Sequence, residues 1–222
     1  MLKAVIMDFD GVIVDTEVIW CEIFQEWFKK ELDYDVSVEE FLICVGANDQ
    51  AFFQKLAHEK NITVNQEVFA KETSALFLER SKALPAKEGV VAFIEAVKEY
   101  GLKLALATSS KRAKPTSHLT RLGLIDYFDV IVTAEDVERI KPAPDLFLEA
   151  ARQLAVEPGE AVIIEDSKNG LIAGNQAGMP VIVVPNEVTK YSDLTPHYQI
   201  IDSLAQLHVG QLKKEVDKIV NG

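Results

Sequence analysis

Five short apolar runs recur along this chain, and each of the first four stops at a polar or charged cluster. They occupy residues 2–7, 102–107, 130–132, 161–164 and 180–184, and the clusters read DFDG, TSS, TAEDV and EDSKNG. Runs of this length that stay apolar without alternating suit strands covered on both faces, which is the environment of a parallel sheet. Helical stretches fall between them, over residues 113–122 ahead of Gly123, 144–154, and 171–177 ahead of Gly178. Glycine at those two places accepts the left-handed backbone that closes a helix. Right-handed βα units then lay helices on both faces of one sheet, and the polar clusters all collect at the carboxyl ends of its strands.

Residues 16–83 break that rhythm. Helical patterning appears in VIWCEIFQEWFKKEL, VEEFLICV, DQAFFQKLAHEK and QEVFAKETSALFLERSKAL, with no strand between them. The expected architecture is α/β: a Rossmann-like three-layer parallel-sheet core from residues 1–15 and 84–222, with a small all-helical cap of residues 16–83 inserted after the first strand. A length of 222 residues, 48% of them hydrophobic, is enough to fill such a core and a cap. Phe53, Leu56, Phe69 and Phe77 fall at helical spacing and are expected to pack inside the cap.

Twenty-three lysines and arginines against 35 acidic residues give a formal charge of -12. That balance disfavours a nucleic-acid backbone or an anionic membrane as partner. It also means that any anionic substrate needs lysines, backbone amides or a metal placed locally against the average field. Cys21 and Cys44 are too few for a disulfide scaffold and form no CxxC pair, so both are read as buried thiols. No run reaches membrane-spanning length and the opening run lacks a signal peptide's basic start, so cytoplasmic residence is expected; the sequence does not encode an oligomeric state, and a monomer is the default expectation.

The first polar cluster carries the chemistry. Asp8 and Asp10 stand two residues apart at the end of the first strand, and Gly11 permits a sharp turn behind them. A carboxylate so placed can attack phosphorus or ligate a cation, and its neighbour can carry a proton. Thr108 after LALA, with Ser109 and Lys111 beyond it, offers donors to a phosphoryl group. Glu165 and Asp166 after AVII place two more acids at a strand end, where a divalent cation is the natural counterion. Asp15 and Glu17 are open between a structural role near the cap hinge and an N-cap or loop hydrogen bond, and neither is read as catalytic.

Taken in order, DFDGVIVDTE, ATSS, KPAP and EDSKNG resemble the four motifs of the haloacid dehalogenase superfamily, in its helical-cap branch, over essentially the whole chain. The resemblance implies that Asp8 is a nucleophile forming an aspartyl-phosphate and Asp10 the general acid and base. It further implies that Thr108 and Lys141 bind the phosphoryl group, and that Asp8, Asp166, the backbone carbonyl of Asp10, and Glu165 directly or one shell out hold Mg2+. The implied activity is hydrolysis of a small phosphorylated metabolite, with sugar phosphates the first class. The runner-up is a β-phosphoglucomutase-like phosphomutase, although Trp20 replaces that group's histidine and VGANDQ lacks its arginine. Lys55, His58, Lys60, Lys71 and Arg80 are the cap cations that a mutase's second phosphate contact could use. A non-catalytic partner-binding module, presenting Trp20, Phe24 and Trp27 on an exposed cap surface, is the remaining alternative.

Overall fold

A computed structural model describes residues 1–220. The chain opens with β1 (Ala4–Met7), then α1 (Thr16–Leu32), α2 (Val38–Phe41), α3 (Gln50–Lys60) and α4 (Gln66–Ser81). It continues through α5 (Val90–Glu99), β2 (Lys103–Ala107), α6 (Ala113–Arg121), β3 (Val130–Val132), α7 (Asp145–Leu154), β4 (Ala161–Glu165) and α8 (Lys168–Gln176). The last elements are β5 (Val181–Val183), β6 (Gln199–Ile200) and α9 (Val209–Val220). The six strands form one parallel sheet in the order β3-β2-β1-β4-β5-β6.

Strand alternation sorts the apolar side chains onto two faces. Val5, Met7, Leu104, Leu106, Val162 and Ile164 pack with Phe93 and Ile94 of α5 and with Leu212 and Val216 of α9. On the opposite face Ala4, Ile6, Ala105, Ala107, Ile163 and Val181 meet Leu146, Phe147 and Ala150 of α7 and Leu171 of α8. The result is a three-layer Rossmann-like core, with both sheet faces dry as the unbroken apolar runs require.

The helices α1 to α4 gather a cluster of their own around Phe24, Phe28, Phe41, Phe52 and Phe69. Phe69 meets Phe24 edge-on at 5.0 Å and Trp27 at 4.9 Å between ring centroids, which is a favoured aromatic geometry. Phe53, Leu56 and Phe77 are buried as well. The helical cap is therefore held by aromatic packing rather than by the sheet. The second cap helix is shorter than VEEFLICV suggests, because the chain leaves it at Leu42 and turns through Gly46 at φ 74°. Helices α5 and α9 and the two-residue strand β6 are additions to the sequence-based outline. Among the described residues, no helix is long and apolar enough to cross a membrane.

Candidate active site

β1 pairs with both β2 and β4, so the carboxyl ends of these three strands lie side by side where the winding of the sheet reverses. Open α/β sheets leave a crevice at that point. Asp8 sits there directly after β1, fixed by its N–H donating to the carbonyl of Ile164 at 3.0 Å. The chain then turns tightly, with the N–H of Gly11 on the carbonyl of Val14 and that of Ile13 on Phe9, both at 2.9 Å. Gly11 has φ 72°, and a Cβ on it would stand 2.0 Å from Oδ2 of Asp166. Only glycine admits both the turn and that carboxylate.

Lys141 is brought to the same point by the loop after β3, its side chain fully buried. Its Nζ donates to Oδ1 of Asp8 and to Oε1 of Glu165, each at 2.6 Å. Burial works against the ammonium, but the two carboxylates outweigh it and hold its pKa above the ordinary lysine value. The other oxygen of Glu165 accepts from the N–H groups of Asp166 and Ser167 at 2.8 and 2.9 Å and from Oγ of Ser167 at 2.9 Å. A Cβ on Gly170 would fall 1.8 Å from Oε1 of Glu165, so the glycine of EDSKNG makes room for this locked carboxylate. Glu165 thereby fixes Lys141.

Asp8, Glu165 and Asp166 present oxygens that lie within 4.8 Å of one another, all buried. Burial, then the neighbouring charges of Glu165 and Asp10, pushes Asp8 up to about 7 despite Lys141. Asp166 is raised well above the usual carboxylate range by burial and by the charges of Glu165, Glu17 and Asp8. Lys141 pairs with two of these three carboxylates and Asp166 has no ion pair among the described residues, so this donor set of hard oxygens fits a divalent cation such as Mg2+. Asp166 receives one hydrogen bond, at Oδ2 from Asn186 at 2.9 Å, and Asp8 receives one at Oδ1. Each therefore keeps one oxygen without a protein donor among the described residues.

The carboxylate of Asp10 turns the other way. Thr16 Oγ1 donates to it at 2.5 Å and Ser110 Oγ at 2.7 Å, and Lys114 Nζ lies 2.5 Å from Oδ1. Burial would raise this group, but Lys114 and the two hydroxyls overcome that and hold it below the usual range. In this arrangement Asp10 is an anion. Asp8, Asp10, Thr108, Ser109, Ser110 and Lys114 form the core side of a cavity of about 110 Å3. The cap closes it with Glu17, Trp20, Phe41, Cys44, Gly46 and Ala47. Two bonds pin the cap loop down: Ser109 Oγ donates to the carbonyl of Gly46 at 3.0 Å, and Asn169 Nδ2 to that of Val45 at 2.8 Å.

The sequence reading singles out Lys111, but that residue is exposed and does not line the cavity. It precedes α6, whereas Lys114 lies in the helix's first turn and is carried inward. The visible signal for Lys114 is its place one helical turn beyond TSS. Thr16, inside DFDGVIVDTE but not singled out there, and Asn186, outside every quoted motif, hold Asp10 and Asp166. Glu17 is buried against the cavity, where burial first and then the charge of Asp10 push it up to about 8. Asp15 caps α1 without a side-chain capping bond, and its Oδ1 is buried with no hydrogen-bond partner among the described residues.

Removing metal should expose the strain in this cluster. Asp8 and Glu17 have raised pKa values, about 7 and about 8, so the folded chain holds protons that the unfolded chain has released. Stability from these groups is complete below the ordinary carboxylate pKa and is lost as pH rises toward those values. Metal-free protein is expected to lose thermal stability from about pH 5 to about pH 8, and Mg2+ to restore more at the upper end, where protons no longer compete. Melting curves across pH with a chelator or with Mg2+ check this, and a midpoint that rises steadily with pH in the chelator would contradict it.

Comparison with known proteins agrees with this geometry. The family described as haloacid dehalogenase-like hydrolase matches residues 5–184. YhcW of Bacillus subtilis (strain 168), a provisionally named phosphatase, is 40% identical over 220 residues, covering 96% of each chain. The phosphorylated carbohydrates phosphatase of Thermotoga maritima is 34% identical over 185 residues, covering 80% of this chain and 82% of its own. Among solved structures, CbbY from Rhodobacter sphaeroides in complex with phosphate superposes with a TM-score of 0.79 at 28% identity, over 96% of this chain and all of its own. Motif order, sheet winding and these matches over nearly the full length have one explanation: the chain belongs to the haloacid dehalogenase-like hydrolases.

Proposed function

We propose that the chain is a magnesium-dependent phosphomonoester hydrolase for a small phosphorylated metabolite, with sugar phosphates as the first substrate class, working through an aspartyl-phosphate on Asp8. The observation that carries this reading is the clamp on Asp8. Lys141 holds Oδ1 of that carboxylate at 2.6 Å, which leaves the second oxygen to attack phosphorus. Asp8, Asp166 and the backbone carbonyl of Asp10 would hold the cation, with Glu165 anchoring the cluster from behind. When bound, Mg2+ supplies the positive charge that lets a carboxylate approach a phosphate dianion.

The chain's own groups perform the rest. Attack by Asp8 breaks the bond from phosphorus to the ester oxygen, and Asp10, protonated for this step, gives its proton to the departing alkoxide. Asp10 then takes a proton from water as the water oxygen attacks the aspartyl-phosphate, which returns Asp8 as carboxylate and releases phosphate. The anionic Asp10 held by Lys114, Thr16 and Ser110 is the form this second step uses. Thr108 and Ser109 face the cavity where the transferred oxygens gather charge. Residues 16–83 act as a cap that excludes bulk water when closed, the pins from Ser109 and Asn169 marking the closed arrangement.

Hydrolysis is favoured over mutase chemistry by the cap lining, which carries no cationic side chain among the described residues. Lys55, His58, Lys60, Lys71 and Arg80 do not line the cavity, and Arg80 pairs instead with Glu26 at 2.7 Å. The binding-module alternative needs an apolar cap surface, but Phe24 and Trp27 are buried and Trp20 stacks on Phe77 at 4.4 Å. The test is phosphate release from sugar and short-chain phosphomonoesters, alongside isomerisation of β-glucose 1-phosphate, with and without Mg2+. Magnesium-dependent release is expected. Isomer formation without comparable release would replace hydrolase by mutase.

A further inference from the structure

Glu17 lines the closed cavity with a carboxyl that receives no hydrogen bond among the described residues. The residue is 93% buried, since only 7% of its surface remains exposed, and it lines the cavity from the first turn of α1. Asp8, Asp10 and Asp166 each receive hydrogen bonds from named donors, whereas no hydrogen bond or ion pair to the Glu17 side chain occurs among the described residues. With its oxygens open to the cavity and no donor to them among the described residues, this carboxyl is placed to accept a hydrogen bond from a group that arrives with the ligand.

The surroundings define that group. Around Glu17 the cap contributes Trp20, Phe41, Cys44 and Ala47, which are apolar or nearly so. Trp20 is fixed by its stack on Phe77, and Lys114 covers the other end of that aromatic wall with Nζ 4.5 Å from the Phe77 ring. Among the described residues Lys114 is the one ammonium lining the cavity, and its charge is already matched by Asp10 at 2.5 Å. A second anionic group on the substrate would face Asp8, Asp10 and Glu17 with no unmatched cation beside it. A volume of about 110 Å3 also leaves space for only a small alcohol beside the phosphoryl group while the cap is closed.

Resting on the phosphomonoesterase reading above, we propose that Glu17 determines specificity by receiving a hydrogen bond from the leaving alcohol. Preferred substrates are small phosphomonoesters whose alcohol carries a donor near the ester and no second anionic group. A hydroxyl of a short polyol and the ammonium of an amino alcohol share that chemistry, and substrate comparison separates them.

The experiment compares kcat/KM with Mg2+ for glycerol 3-phosphate, phosphoethanolamine, propyl phosphate and 2-phosphoglycolate, in the native chain, Glu17→Gln and Glu17→Ala. The native chain is expected to favour a donor-bearing substrate over propyl phosphate by at least about tenfold, and to disfavour phosphoglycolate. In Glu17→Ala that ratio should collapse to within about twofold to threefold, by loss of the same bond. Glu17→Gln should retain preference for the hydroxyl, lose any preference for the ammonium and improve phosphoglycolate relative to the others, because the like charge is gone. A merely structural Glu17 would lower all four substrates together. Magnesium-dependent binding of inorganic phosphate by each variant shows that its site is folded. Equal use of propyl and glycerol phosphates by the native chain, or ratios unchanged in Glu17→Ala, would overturn the proposal while leaving the hydrolase reading intact. Absence of magnesium-dependent release from all four and from p-nitrophenyl phosphate would overturn both.

Discussion

Asp8→Asn is expected to lower magnesium-dependent phosphate release by at least about 10^4-fold, with no trapped acyl-phosphate and with the fold preserved. The amide keeps the shape of the carboxylate and can still accept a hydrogen bond from Lys141, but it offers no oxygen able to bond to phosphorus. Stability should not suffer. Asp8 belongs to a cluster of three buried carboxylates and shares Lys141 with Glu165, and its raised pKa records a charged form that the fold holds at a cost. Removing one such charge leaves Lys141 paired with Glu165 at 2.6 Å. Single-turnover assays and denaturant melts on the same preparation check both halves. Residual release within about tenfold of the native chain would mean that phosphorus is attacked by another nucleophile, with Asp8 acting only as a cation ligand.

Lys141→Met is expected to do the opposite to stability while also abolishing activity. The side chain is fully buried between Asp8 and Glu165, and its ammonium is the sole positive charge paired with either among the described residues. Methionine fills similar volume but leaves two buried carboxylates facing each other, a loss of roughly 3–5 kcal/mol where both stay charged. The sign with pH is distinctive. With the ammonium gone, both carboxyls should titrate upward, so the variant should approach native stability in mild acid and fall away as pH rises. Urea denaturation at about pH 5 and about pH 8, with a chelator present, measures the difference. A uniform loss at both values would show that Lys141 matters for packing, including its approach to 4.8 Å from the Phe147 ring, rather than for charge.

Much of this arrangement is legible in the chain because apolar runs and polar clusters are local features. Residues 2–7 read as a buried strand since every position from Ala4 to Met7 is covered by helices, and Asp8 then has to emerge at a strand end. The same logic locates Thr108, Glu165 and Asp166, each immediately after or at the end of an apolar strand. Lys141 is different. It stands in a loop well beyond β3, with nothing in its own neighbourhood to distinguish it from a solvated lysine, and it was legible only through the KPAP resemblance.

The alternation of strand and helix, the helical interruption after β1 and the acids at the strand ends can be read from local residues alone, because each depends on spacing within a few residues. The tertiary structure decided which residues meet. Sheet order sets β1 between β2 and β4 and so brings Asp8 to Asp166. The start of α6 at Ala113 turns Lys114 toward Asp10 and leaves Lys111 outside. Closure of the cap buries Glu17 against the cavity with no hydrogen-bond partner among the described residues. Pairings across such sequence distances are fixed by packing of whole elements, and local propensity carries no information about them.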